Sequence, residues 1–104
     1  MSVVTVYAVF ADLAEAQTIG RAMVEQRLAA CVNILQPCRS IYRWEGAVES
    51  ASEVPALFKT TLAGAYKLIA AIAERHSYSV PAIVAWPIAE AADSYTVWIA
   101  ESVG

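Results

Sequence analysis

The spacing of apolar and polar positions changes period several times along the chain, and each change marks an element. Val3 to Phe10 carries no charge and is rich in Val and Tyr, the composition of a central strand covered on at least one face. Asp12 stands three residues before Glu15, a spacing that lets Asp12 accept from first-turn amides while Glu15 bonds back, so a helix starts here. Ala16, Ile19, Gly20 and Met23 then recur at three- and four-residue intervals, with Glu15, Gln17, Arg21 and Glu25 largely elsewhere, which predicts an amphipathic helix lying on the sheet.

β-type composition returns over Ala30 to Ile34, breaks at Gln36-Pro37 and resumes from Ser40 to Trp44 before the turn residues Glu45-Gly46. The return strand runs from Ala47 to about Thr60, with Val54, Ala56 and Phe58 on one face and Leu57 and Lys59 on the other. Each arm is roughly 13 residues, about 43 Å at ~3.3 Å per residue, against a usual strand of about five or six. A domain with a radius of gyration near ~13 Å does not cover that length, so the overhang is expected to pair with or pack on neighbouring subunits. Pro55 removes an amide from the return strand, which predicts an edge or a bulge at that point.

Thr61 is the predicted cap of a second helix whose buried stripe is Ala65, Leu68, Ile69 and Ile72 and which ends at about His76. Pro81 closes the break that follows, Ile83 to Trp86 gives a fourth strand stopped by Pro87, and Asp93 or Ser94 caps a short last helix with Tyr95, Trp98 and Ile99 on one face. The order β-α-β-β-α-β plus a terminal helix predicts an α+β fold. It is a ferredoxin-like split sandwich with a long hairpin between the second and third strands and both main helices on one sheet face. Residues 1–104 form one domain on this reading, and the uncovered sheet face or the hairpin edges are expected to assemble a homotrimer.

Composition points the same way. Hydrophobic residues make up 59% and charged residues 16%, where an ordinary soluble domain has about 25% charged, and a subunit interface is the natural place for the surplus. Met1 to Phe10 has no basic segment of the signal-peptide kind, and no run of about 18 uncharged residues has membrane character, so a cytoplasmic protein with no membrane partner is expected. Two cysteines, Cys31 and Cys38, fit that compartment as free thiols. A net charge of -3 with seven basic residues scattered singly argues against a nucleic-acid partner.

Several segments resemble one family. Arg27-Leu28-Ala29-Ala30-Cys31-Val32-Asn33-Ile34 is similar to the ERLAACVNI stretch of the CutA proteins, and Ser40 to Gly46 resembles their hairpin tip. Lys59-Thr60, His76-Ser77-Tyr78-Ser79-Val80-Pro81, and Tyr95 with Trp98-Ile99 resemble that family's KT, HPYEVP and YLxWI motifs, in register along nearly the whole chain. The resemblance implies a ferredoxin-like homotrimer close to the PII signalling proteins, associated with divalent cation tolerance and, in some members, copper binding. It implies no enzyme activity and no required cofactor, a divalent cation such as copper being the ion it suggests. Ser77 and Ser79 depart from the motif's Pro and Glu, Pro55 from an apolar strand residue, and Ala8 occupies a position where some copper-binding members carry cysteine.

Individual residues carry competing readings. His76, the one histidine, is the candidate metal ligand, while its place at a helix C-terminus suits a structural role equally. Cys31 and Cys38 lie seven residues apart, on opposite faces of an uninterrupted strand and about 23 Å from each other, so they do not share a metal. Cys31 reads as a buried small residue, and Cys38, at the break, as the more exposed thiol. Trp44 at a hairpin tip predicts burial against a neighbour. The alternative is that Trp44, Lys59, Tyr78, Tyr95 and Trp98 line an intersubunit cleft for a small anion, Lys59 supplying the charge. Glu45, Glu49 and Glu53 share one face at even spacing, as collectors of hard cations or simply as a solvated edge. A small hydrolase using Cys31 and His76, and a trimeric scaffold for a protein partner, are the remaining function classes.

Overall fold

The computed structural model describes residues 2–104. Strand β1 (Val3–Phe10) is followed by α1 (Leu13–Glu25), β2 (Cys31–Ile34), β3 (Cys38–Trp44), β4 (Ala47–Thr61), α2 (Ala65–Arg75), β5 (Ile83–Pro87) and α3 (Asp93–Ser102). The sheet runs β2-β4-β1-β5, all neighbours antiparallel, with β3 continuing beside β4 where β2 stops. This is the ferredoxin-like α+β arrangement that the element order predicts.

Alternation along β1 and β4 decides where the core lies. Val4, Val6, Ala8 and Phe10 of β1 and Val54, Ala56 and Phe58 of β4 point to the same side, where Ala16, Ile19 and Met23 of α1 and Ala65, Leu68 and Ile72 of α2 close over them. Both main helices therefore cover one face. A smaller cluster of Val3, Ala30 and Ile99 seats α3 against the opposite face.

The hairpin is as long as its arithmetic requires. β4 alone has 15 residues, and the molecule measures 45 × 26 × 23 Å. Ile34 pairs with Ala56 and Cys38 with Glu53, so three residues, Leu35-Gln36-Pro37, face two, Val54-Pro55. This is a bulge. Pro55 carries it: its carbonyl accepts from the Leu35 amide at 2.9 Å, so its missing N–H faces the bulge and no ladder bond is lost toward β1. Of the two outcomes predicted for Pro55 the bulge is the one realised, since β4 is interior and not an edge. The hairpin closes through Glu45 (φ 49°) and Gly46 (φ 83°), a two-residue turn with both residues left-handed.

The helix ends depart from expectation in instructive ways. Asp12 caps α1 by accepting from the Glu15 amide at 2.8 Å, but Glu15 reaches back one residue further, to the Ala11 amide, and its second oxygen accepts from Ser77. α1 ends with the Leu28 amide on the Met23 carbonyl and the Arg27 amide on Val24, a Schellman turn with Arg27 (φ 61°) where glycine is usual. The Arg27 side chain offsets that strain by donating to the Glu101 and Gly104 carbonyls, tying α3 down. Thr61 accepts from the Gly64 amide and so organises the turn before α2, which starts at Ala65 with Gly64 as its cap residue. α3 begins after Ala92 without a side-chain cap, leaving Asp93 inside its first turn, where a negative charge suits the helix dipole.

Gly46→Ala is expected to cost about 1 kcal/mol through the left-handed backbone, read as a lowered midpoint in denaturant unfolding. Burial works to raise the Glu15 carboxyl, but the amides of Ala11 and Ser77 outweigh it and hold the group below its usual 4.5. Its contribution to stability is complete above pH 4.5 and is lost as pH falls through the lower folded value. Glu15→Gln is expected to be less stable at neutral pH and to decline less steeply in acid, measured by thermal unfolding across pH.

Candidate functional site

The sheet face away from α1 and α2 is built from the odd-numbered residues of β1 and β4 and is covered by α3 at one end only. Tyr7 and Trp86 stack across its middle at 5.0 Å, Trp86 remaining 48% exposed. The five residues expected to line one cleft all belong to this side, but within a subunit they fall into two groups.

Lys59, Tyr95 and Trp98 form the group beside α3. Lys59 donates to Asn33 Oδ1 at 2.9 Å and lies opposite Cys31 across β2 and β4. The Cys31 thiol is 3.5 Å from the Tyr95 hydroxyl, and Tyr95 stacks on Trp98 at 5.8 Å. Burial pushes the Tyr95 phenol up to about 12, helped by the hydrogen bond to Cys31 and by its charge. The thiol and the phenol thus meet one strand over from an ammonium that is turned toward Asn33. Cys31 is half-buried here, not the enclosed residue predicted for it, and Cys38 is equally half-buried.

Trp44 and Tyr78 form the second group, at the hairpin end. They line an open cavity of about 710 Å³ with Tyr42, Glu49 and Glu53. The Tyr78 hydroxyl donates to Glu53 Oε2 at 2.8 Å, and burial, this bond and the Glu53 charge push its phenol up to about 12. Glu53 and Lys59 are six positions apart on β4, about 20 Å at ~3.3 Å per residue, so a single subunit does not join the two groups. The bulge also places Cys31 and Cys38 on the same face, opposite Lys59 and Glu53, but at that same separation. Of the acidic row, Glu49 and Glu53 face the cavity while Glu45 is spent in the turn.

His76 occupies both of its ring nitrogens. Nε2 lies 2.7 Å from the Val9 carbonyl, which β5 leaves unpaired beyond Ile83, and Nδ1 accepts from the Tyr78 amide at 3.1 Å. Those partners select the neutral ring protonated on Nε2, stacked at 5.1 Å on Phe10. A metal at either nitrogen first has to break one of these contacts, and among the described residues no three His, Cys, Asp or Glu side chains gather around an ion. The Cys31–His76 pair does not form, because Cys31 lies level with Thr5 and His76 with Val9 and Phe10, on the order of 15 Å away along β1.

One partner, Asn33, escaped sequence reasoning, and the acidic residue Glu53, expected on a cation-collecting or solvated edge, is instead buried against Tyr78. Asn33, a polar residue inside an apolar strand, signals a specific partner on the face away from Val32, and that partner is Lys59. Glu53, directly preceding the apolar run Val54 to Phe58, signals a carboxylate carried into the interior. In an ultraviolet absorbance titration two phenols are expected to ionise late, near pH 12, and Tyr78→Phe to leave one. Because these values are raised on folding, their contribution is whole below pH 10 and is lost as pH rises through 12; Tyr78→Phe flattens that alkaline loss.

Comparison with known proteins agrees with this fold. The model of the family described as CutA1 divalent ion tolerance protein matches residues 4–102. The divalent-cation tolerance protein CutA of Thermus thermophilus is 48% identical over 89 residues, 86% of each chain. The solved structure of a periplasmic divalent cation tolerance protein CutA from Archaeoglobus fulgidus superposes with a TM-score of 0.94 at 34% identity, covering 98% of this chain and 99% of that one. A chloroplastic CutA protein of Arabidopsis thaliana is 33% identical over 99 residues, 95% of this chain and 54% of its relative. The last two correct the cytoplasmic expectation: relatives of this fold occupy the periplasm and the chloroplast, because composition and a pair of free thiols record what a domain tolerates and not where it is sent. With the match running from the first strand to the last helix, this chain belongs to the CutA1 divalent ion tolerance family.

Proposed function

We propose that the protein is a non-enzymatic homotrimer that serves divalent metal ion tolerance or response, copper being the first ion to test, and that it reads a small ligand or partner in clefts between subunits, as PII-like signalling proteins do. The observation that carries the cation part is the family match over residues 4–102. Relatives are named for tolerance and not for a reaction, which supports the non-enzymatic reading.

Assembly is supported by what one subunit leaves uncovered. Ile41 is 73% and Val48 65% exposed on the outer hairpin, and Trp44, Trp86 and Trp98 are all substantially exposed as well. Such apolar area on a small domain marks an interface. A neighbour laid along the open face would also bring the Lys59 and Trp44 groups of different subunits toward one another, restoring a single cleft. A metal held by His76 costs the ring its bond to Tyr78 or Val9, so binding there is accompanied by loosening of the 76–80 loop.

Light scattering is expected to give three times 11.2 kDa; a stable monomer defeats the assembly. Titration calorimetry with copper(II) and zinc(II) is expected to show saturable heat that His76→Ala removes. Absence of heat defeats the metal reading, and heat unchanged by the substitution moves the site away from His76.

A further inference from the structure

The terminal helix is held differently from the other two. Four of the 13 residues of α1 and three of the 11 of α2 are buried, but Ile99 alone of the ten in α3. Val3 and Ala30 lie beneath it, with Ile88 and Val103 packed at the edges. Tyr95, Val97 and Trp98 on the same helix stay exposed. An open crevice of about 500 Å³ separates its last residues, Ala100, Val103 and Gly104, from the Thr61–Ala63 turn, so this end is not packed down on its surroundings.

Neither end of α3 is capped from within the helix. Ala92 has no side-chain oxygen to offer the first amides, and the last turn holds no basic residue. Arg27, in the turn after α1, supplies what is missing from across the fold. Its guanidinium donates to the Glu101 and Gly104 carbonyls at 3.0 and 3.1 Å, and its positive charge stands where the helix dipole favours one. The Arg27 carbonyl accepts from the Gly104 amide at 3.0 Å, so three hydrogen bonds to the end of the chain gather on one residue. A helix with one buried side chain and a borrowed cap opens at a lower free energy than the core on which it lies.

We infer that α3 is a strap that leaves the sheet as a unit while the five strands, α1 and α2 stay folded, and that Arg27 is the clasp that sets how often it lifts. Lifting parts the Tyr95 hydroxyl from the Cys31 thiol and uncovers the Lys59 end of the sheet face. At this end α3 already covers the sheet, so a neighbouring subunit meets the helix there. The strap rests on neither the metal reading nor the assembly.

Hydrogen–deuterium exchange of the purified protein in its own assembly, read by mass spectrometry, is expected to run about tenfold faster over 93–102 than over α1 and α2. Arg27→Gly keeps the left-handed turn, which glycine suits better, and removes the guanidinium. It is expected to quicken exchange over 93–102 a further tenfold or so and to leave α1 and α2 as they were, with Arg27→Lys, a single charged donor, falling between. Alkylation of Cys31 by iodoacetamide in a Cys38→Ser background is expected to quicken with it. Exchange of α3 in step with the core, because of its own packing or because a neighbour holds it, overturns the inference. So does exchange over 93–102, or alkylation of Cys31, that ignores Arg27→Gly. Light scattering on the same samples separates the two ideas: a trimer whose α3 opens only with the core defeats the strap alone, and a monomer whose α3 lifts first defeats assembly alone.

Discussion

Three residues, Leu35-Gln36-Pro37, are fitted against two, Val54-Pro55, and everything beyond that point in the hairpin takes its facing from the surplus. Side chains alternate with a period of two, so one extra residue moves a whole strand's set from one face to the other. In plain continuation from Ile34 and Ala56, Tyr42 and Trp44 would share the helix-covered face. The bulge puts them on the open one, opposite Glu49 and Ala47 and above Glu53 and Tyr78. The proline that looks like a defect in β4 is what makes the shift inexpensive, because it brings no amide needing a partner at the place where the ladder is interrupted.

Much of this was legible in the sequence, and the parts that were not share a cause. β1 was read to the residue, as was the buried stripe of α1, because uninterrupted alternation and 3.6-residue spacing report directly on burial. The long hairpin followed from the lengths of its arms. Facing across the break was not legible, since Pro37 announces an irregularity without saying whether one residue is gained or none. Nor does residue type say that Trp44, Lys59, Tyr78, Tyr95 and Trp98, expected in a cleft between subunits, divide within one subunit into an end with Lys59 and an end with Glu53. Caps set by backbone geometry, such as Gly64 before α2 and Ala92 before α3, leave little trace in residue type.

The open face thus carries a charge gradient along β4, ammonium at one end and carboxylate at the other, with Tyr7 and Trp86 stacked between them. His76 holds the carboxylate end in shape without taking part in it, closing the Val9 carbonyl on one side and the Tyr78 amide on the other. Glu15 fixes the same loop from α1 through the Ser77 amide. Tyr78 therefore reaches Glu53 from a loop anchored at two points, which is what keeps a long side chain on a connecting segment in a defined position.

Arg27 has a bearing on the order in which the chain assembles. Its Schellman turn is local and forms with α1, but the carbonyls its guanidinium seeks are 74 and 77 residues downstream. Closing so long a loop is entropically costly and comes after nearer contacts are made. During synthesis the guanidinium therefore has no partner in α3 until the last residues of the chain have been made, and the tie between the two helices is the last of these contacts to become available.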